Sequence, residues 1–136
     1  RTAEDSAEQK ELTFYSTNDL VDRLDPSQIR LDENGELRMD AKAAEVWRRL
    51  DIHYTEEVLG KAGNDNVFMG LALSAKQITD RTNFYREQIE PQFIEAGHTD
   101  ESLTGIRALM TGLDDLAKVS KKQAVNKSAN WGLALV

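Results

Sequence analysis

The two histidines and the glutamates near them are the residues best suited to chemistry. His53 is followed by Glu56 and Glu57 at i+3 and i+4, so the three would share one face of a helix. Glu95 and His98 have the Glu-x-x-His spacing of carboxylate-bridged di-iron bundles, which also need inward glutamates from other helices. These residues define one alternative, a metal-binding or hydrolytic helical-bundle enzyme that uses His53 and nearby carboxylates.

Solvated polar side chains on helices are the simpler interpretation of both groups. Gly97 is expected to end a helix just before His98, which would take that histidine off the face of Glu95. Glu45 and Glu90, the other acids at suitable positions, have the pattern of solvent-facing residues. No Gly-x-Ser-x-Gly elbow and no phosphate-binding glycine loop occurs. The sequence therefore predicts no enzyme, with no catalytic residue, no metal site and no cofactor.

Residues 32–37 have the acid, amide and glycine order found in the middle of an EF-hand calcium loop. When this run is aligned on Gly35, Arg30 stands at the first ligand position and Ala41 at the twelfth, so the first ligand and the bidentate glutamate are missing. Alternating apolar residues on both sides of Asn34-Gly35 instead predict a small β-hairpin, because this dipeptide supplies the positive backbone angles of a tight turn.

The composition excludes several classes of function. The chain of 136 residues has no cysteine, which rules out thiolate metal sites, disulfides and a cysteine nucleophile. Its formal net charge is −7 and is unevenly spread, because four lysines and no acid occur from Leu116 onward. An acidic protein repels nucleic acid, and no apolar run approaches the roughly 18 residues that span a bilayer. We predict neither nucleic-acid binding nor a membrane span.

Helical periodicity fills most of the chain. The apolar spacing predicts a short helix over residues 18–24 and long helices over about 41–61, 66–96 and 100–125. The predicted fold class is mainly α: an antiparallel helical bundle of three long helices with a short N-terminal helix and a small β-hairpin. We expect residues 1–11 to be a flexible polar segment and residues 12–136 to form a single helical domain with an apolar C-terminal tail.

Two glycines, Gly105 and Gly112, lie seven residues apart on one side of the last predicted long helix. They either allow another backbone to approach closely or are simply positions of low helix propensity, each of which lowers the stability of the helix by about 1 kcal/mol relative to alanine. The sequence does not decide between these alternatives.

Three short motifs resemble a known family. They are residues 31–37, Arg48-Arg49-Leu50-Asp51 and Val58-Leu59-Gly60, and together they resemble the opening mini-domain of lipase-specific foldases. Those foldases are helical steric chaperones that face the periplasm from the inner membrane, so the resemblance implies a chaperone role in the cell envelope. Their pattern continues from the leucine into Phe-Asp-Tyr, whereas this chain has Asp51-Ile52-His53-Tyr54, and the resemblance does not extend beyond Gly63.

The end of the chain, residues 130–136, is apolar, although chain ends are usually polar and loose. It either docks on the helical body of the same chain or forms an interface that a partner covers. The predicted contact residues are Trp131, Leu133, Leu135 and Val136, with Phe14 and Tyr15 as a second apolar stretch of the same role.

These features favour a non-catalytic protein-binding module, such as an adaptor, a small chaperone or an immunity-type protein. Its expected partner is another protein, and a periplasmic or cell-envelope location is favoured over the cytoplasm. The last alternative is a self-assembling structural subunit, in which the tail or the last long helix pairs across a homodimer.

Overall fold

The structure is a computed structural model that describes residues 17–58 and 74–131, and this part of the chain is mainly helical with a two-stranded antiparallel sheet. The elements are α1 (Thr17–Arg23), a 3₁₀ turn (Pro26–Gln28), β1 (Arg30–Leu31), β2 (Leu37–Arg38), α2 (Ala41–Glu57), α3 (Ala75–Phe84), a π-helical turn (Tyr85–Ile89), α4 (Glu90–Glu95), α5 (Thr104–Ala117) and α6 (Lys121–Asn130). The predicted mainly α class and the hairpin are confirmed, whereas the arrangement of three long helices is not.

The hairpin forms where the sequence predicts it. β1 and β2 pair antiparallel, with Leu31 opposite Leu37. Gly35 has a φ of 78°, which a residue without a side chain adopts at little cost. The Asp32 carboxylate accepts hydrogen bonds from the backbone N–H of Asn34 and of Glu36, both at 2.9 Å. The acid at the start of this run therefore closes the turn.

Asp40 caps α2 as its residue type predicts, since its carboxylate accepts a hydrogen bond from the Ala43 N–H at 2.9 Å. The helix buries an apolar stripe against the rest of the molecule. The members of that stripe are Ala43, Val46, Trp47, Leu50 and Tyr54.

A second helical run extends from α3 through the π-helical turn into α4. Ser74 and Gln77 form a capping box at its start. The Glu90 N–H bonds to the Tyr85 carbonyl, five residues back. Pro91 has no N–H to donate and its ring would collide with the carbonyl four residues earlier, and the wider turn before it accommodates both effects. Gly97, with a φ of 105°, follows the end of this run as predicted.

The helix predicted over residues 100–125 is wrong as a single element. Thr99 and Ser102 cap a short turn, and α5 begins only at Thr104. The chain then breaks at residues 118–120, where Ser120 accepts a hydrogen bond from the Gln123 N–H and α6 begins at Lys121. The capping hydroxyls of these serine and threonine residues compete with a continuous helix.

α5 is the centre of the fold. It packs against α3, the 3₁₀ turn, both strands and α6. Its inward residues are almost fully buried and include Ile106, Leu109, Met110 and Leu113. Gly105 faces the first strand so closely that a Cβ placed there would lie 1.5 Å from the carbonyl oxygen of Ile29. The close-approach interpretation of this glycine is thereby confirmed.

Within the described residues, none of the helices combines the length and the apolar character that crossing a membrane requires.

Replacing Gly105 with alanine tests this close approach. A glycine in a helix interior normally gains about 1 kcal/mol of stability on this change, but here the new methyl group collides with backbone. We expect a loss of about 1–3 kcal/mol in the free energy of unfolding, measured by urea denaturation. The exposed Thr111→Ala on the same helix is the control and should stay within about 0.5 kcal/mol. A stabilised Gly105→Ala chain would contradict the packing described.

Candidate functional site

A groove on the surface of the described residues lies beside Trp131. It has a volume of about 310 Å³ and lies between the hairpin, α5 and α6. We call it the Trp131 groove, and it is lined by Glu36, Leu37, Gly112, Asp115, Lys127, Asn130 and Trp131.

Two hydrogen bonds to backbone carbonyls hold the end of α6 against the hairpin. The N–H of Met39 donates to the carbonyl of Trp131 at 2.7 Å. The Arg38 guanidinium donates to the carbonyl of Asn130, the residue before. Both acceptors come from the end of α6, where carbonyls have no partner within the helix. The hairpin thus supplies the donors that this helix end needs, and Trp131 is fixed at one wall of the groove.

Gly112 provides the surface on which the indole lies. A Cβ at this position would come within 2.6 Å of the Cζ2 atom of Trp131, so the ring fits only because the side chain is absent. The indole is half-buried and packs against the core. Gly112 therefore does allow a close approach, although the neighbour is an aromatic ring and not the backbone that the sequence suggested.

The outer edge of β2 reaches the groove. Asp32 donates its N–H to the Glu36 carbonyl across the hairpin at 2.7 Å, so residues 37 and 39 direct their backbone groups away from β1. Met39 uses its N–H for Trp131. The N–H and C=O of Leu37 therefore lie on the outer edge of β2.

The groove combines apolar and charged side chains. Leu37 and the indole give it an apolar wall, while Glu36, Asp115 and Lys127 give it two carboxylates and an ammonium group. No histidine, serine or threonine is among the described residues that line it. Apolar contact with an aromatic anchor, surrounded by polar groups that fix orientation, is typical of protein interfaces.

A cluster of buried polar side chains lies between α2 and α3. Asp51 and Arg81 form an ion pair whose side chains are only 10% and 4% exposed. The guanidinium also lies over the Tyr54 ring, 4.7 Å from its centroid. Burial raises the pKa of the Asp51 carboxyl, and the Arg81 charge acts in the opposite direction. Each charge is compensated by its partner, so the cluster joins two helices.

His53 is close to this cluster but is engaged elsewhere. Its Nε2 lies 3.0 Å from the Thr17 hydroxyl, and its ring packs 6.1 Å from that of Phe84. Burial lowers the pKa of His53, while the nearby charge of Glu57 raises it. Among residues 17–58 and 74–131, no three histidine, aspartate or glutamate side chains form a group that could hold a metal ion.

Glu95 and His98 are separated as the sequence predicted. α4 ends at Glu95, and the left-handed Gly97 turns the chain before His98. The histidine ring instead packs edge-on against Phe93, with centroids 5.3 Å apart, and its Nδ1 lies 3.3 Å from the Ser102 hydroxyl. These residues therefore cannot provide the adjacent ligands of a di-iron helix face.

Of the predicted contact residues, the structure places Trp131 in the groove. The others lie outside the described residues; they are Phe14, Tyr15, Leu133, Leu135 and Val136. Partner binding by all six residues stays a prediction.

The sequence reasoning missed the outer edge at Leu37 and the buried pair of Asp51 and Arg81. A signal for the pair existed, because each charged residue stands beside an apolar stripe: Asp51 follows Leu50, and Arg81 is three residues after Ile78. Opposite charges at inward positions of two helices indicate a buried ion pair. The edge at Leu37 had no comparable signal, since it depends on where α6 ends.

Comparison with known proteins gives no match. No protein-family model matches the sequence, and neither a curated protein nor a solved structure is significantly similar to it. The local resemblance of residues 31–60 to lipase-specific foldases is therefore not accompanied by a family match. The geometry of the site carries the functional argument alone.

A double-mutant cycle tests the packing of Trp131 on Gly112. In the wild-type chain, Gly112→Ala pushes a methyl group into the indole and should lower the free energy of unfolding by about 1 kcal/mol or more. In a Trp131→Ala chain the same change should stabilise by up to about 1 kcal/mol, because only helix propensity remains. Equal effects in the two backgrounds, measured by urea denaturation, would show that the two residues are not in contact.

Burial of His53 predicts a pH-dependent stability. Because its pKa is lowered in the folded chain, the unfolded chain binds more protons once the pH falls below the ordinary histidine value. The contribution of neutral His53 to the free energy of unfolding is complete at about pH 7.5 and declines toward about pH 5.5. Urea denaturation at the two values should show a smaller decline for His53→Gln than for the wild type. Identical declines would contradict this role of His53.

Proposed function

We propose that this protein is a non-catalytic protein-binding module and that the Trp131 groove is part of its contact surface. The supporting observation is a half-exposed indole held rigidly at the wall of an open groove. The Trp131 carbonyl accepts a hydrogen bond from the Met39 N–H, and the Trp131 ring packs on Gly112. A rigid aromatic anchor loses little conformational entropy on binding, which is why tryptophan is frequent among the energetically dominant residues of interfaces.

A protein suits the groove better than the other classes of ligand. The formal net charge of −7 opposes binding of nucleic acid. The groove volume of about 310 Å³ is at the lower end of small-molecule pockets, and the groove is open where such pockets enclose most of their ligand. One or two side chains of a partner protein would fill it.

The proposed contact surface extends beyond the groove. It includes Leu133, Leu135 and Val136, which follow Trp131, and the apolar residues Phe14 and Tyr15. An adaptor, a small chaperone or an immunity-type protein would each present such a surface. A periplasmic or cell-envelope location belongs to the same proposal, as does the alternative of a homodimer formed through the tail.

Site-specific photo-crosslinking in extracts of the native source tests the proposal. A photoreactive amino acid replaces Lys127 at the groove or, as a matched control, Lys76 on α3, whose side chain is 84% exposed. We expect one dominant adduct from position 127 and none from position 76. Adducts of equal number and identity from both positions would contradict a specific surface, and a crosslinked dimer of the chain itself would support self-assembly instead.

Once the adduct is identified, the affinity of the purified partner provides the quantitative test. Trp131→Ala should weaken binding at least about tenfold, or about 1.4 kcal/mol, because the aromatic anchor is lost. Ile94→Ala is the control, since Ile94 is 51% exposed and lies outside the groove. Equal affinity of the Trp131→Ala chain and the wild type in calorimetry would exclude the groove as the contact surface.

A further inference from the structure

We propose that a second groove, where α1, the 3₁₀ turn and α2 meet, binds an acidic segment of a partner protein and takes up one of its apolar side chains. We call it the Lys42 groove. It has a volume of about 380 Å³, and none of its described lining residues belongs to the Trp131 groove. The Lys42 groove is thus a further surface beyond that of the proposed function, and its lining specifies the chemistry of the segment bound there.

The floor of the Lys42 groove is apolar. It is formed by Leu24, which follows α1, and by Ala41 and Val46 of α2. Leu24 and Val46 also belong to the hydrophobic core, so the floor is a fixed part of the fold. An apolar side chain placed on this floor is removed from water, which favours binding.

The charged part of the lining is mainly cationic. Among the described lining residues, three basic side chains stand against two carboxylates; they are Arg23, Lys42 and Arg49, and Asp25 and Glu45. The chain as a whole has a formal net charge of −7, so this local excess of positive charge is opposite in sign to the overall charge. A partner segment that carries carboxylates beside an apolar side chain is complementary to such a lining.

Both carboxylates of the lining are engaged by hydrogen bonds within the fold. Asp25 caps the 3₁₀ turn and accepts hydrogen bonds from the backbone N–H and the hydroxyl of Ser27. Glu45 accepts two hydrogen bonds from Arg48, at 2.9 and 3.0 Å, and one from Arg49 at 2.8 Å. Because Arg48 compensates Glu45 from outside the lining, the positive charge that remains for a ligand is larger than the lining residues alone indicate.

The stability of α2 does not account for Lys42. This lysine is exposed in the first turn of the helix, where the helix dipole favours acids and disfavours cations. Glu45, three residues later, is bonded by Arg48 and Arg49. Lys42 therefore brings a positive charge to the groove at a position where its own helix does not favour one.

A protein segment suits this groove better than other anionic ligands. The net charge of −7 repels nucleic acid and anionic bilayers, both of which present many charges over a wide area. A short acidic segment approaches only the cationic part of the surface, and the more distant acids are screened over a Debye length of about 8 Å. Its apolar side chain also enters a concave site, which a flat bilayer surface does not fill.

Selection from a library of random short peptides tests this chemistry without knowledge of the natural partner. The full chain and its Lys42→Glu variant are each used to select displayed peptides. We expect the wild type to enrich sequences in which aspartate or glutamate flanks a leucine, isoleucine or phenylalanine, and the variant to lose this enrichment. Enrichment of only basic or uncharged sequences, or of none, would overturn the proposal.

The affinity of an enriched peptide, measured by fluorescence anisotropy, locates its site. Lys42→Glu should weaken binding at least about tenfold, because a complementary charge becomes a repulsive one. Lys42→Arg retains the charge and should retain most of the affinity. Lys122→Glu is the matched control, since this exposed lysine on α6 lies outside the groove. Equal weakening by Lys42→Glu and Lys122→Glu would show a general effect of net charge and contradict the site.

Amide chemical shifts during titration with the same peptide distinguish this groove from the first one. We expect changes at Leu24, Ala41 and Val46. Changes confined to Gly112 and Trp131 would place the peptide in the Trp131 groove, which would overturn this proposal and leave the proposed function standing.

Vesicles of phosphatidylserine test the competing lipid ligand. We expect the chain to stay in the supernatant when the vesicles are sedimented. Binding to the vesicles that is lost in Lys42→Glu would assign the groove to an anionic lipid surface and overturn the proposal. Crosslinking from position 127 remains independent, because it reports on the Trp131 groove alone.

Discussion

The contact between α5 and the carbonyl of Ile29 is the constraint on which the rest of the structure depends. A helix can touch the backbone of another segment only where it has no side chain, and Gly105 provides that point. Because Ile29 precedes β1, the contact fixes where the hairpin begins relative to α5. The hairpin in turn positions Met39, whose N–H holds Trp131. One missing side chain therefore sets the geometry of a groove that α6 completes.

Polar contacts fix how α3 and the π-helical turn after it sit against their neighbours. Thr82, which is fully buried, donates to the Asp114 carboxylate at 2.9 Å, and Arg86 reaches the same carboxylate at 2.7 Å. On the side of α2 the pair of Asp51 and Arg81 has the same role. The buried pair of Asp51 and Arg81 adds little net stability because desolvation offsets its attraction, but removing one partner leaves a costly buried charge. These polar contacts therefore select one helix register among several that apolar contact alone would permit.

The sequence predicts well those features that depend on neighbouring residues. The Asn34-Gly35 turn and the cap of α2 at Asp40 follow from local hydrogen bonding and backbone preference, and both are present. The break at residues 118–120 was missed, because the apolar spacing continues through it while the hydroxyl of Ser120 starts a new helix. A capping residue inside a periodic segment is a competing signal of nearly equal strength.

The candidate site was less predictable for a different reason. The type and position of Trp131 indicated an anchor, but the groove depends on three elements that are distant in the chain. The sequence did not determine the role of Gly112, because the sequence pattern of a helical glycine is the same whether that glycine faces solvent or an indole. Which residue packs against Gly112 depends on tertiary contacts, and the local sequence pattern does not predict these contacts.

The π-helical turn at Tyr85–Ile89 has a consequence for how this chain could change over time. Its wider turn holds an additional residue, so the buried positions Tyr85, Ile89 and Phe93 all stay on the inward side although Pro91 interrupts the normal bonding. Removing that additional residue would let the run close as an ordinary α-helix with Phe93 still inward, but it would bring back the steric conflict between the Pro91 ring and the carbonyl four residues earlier. The wide turn and the proline are therefore expected to be gained or lost together, and a regular helix here requires a different residue at position 91.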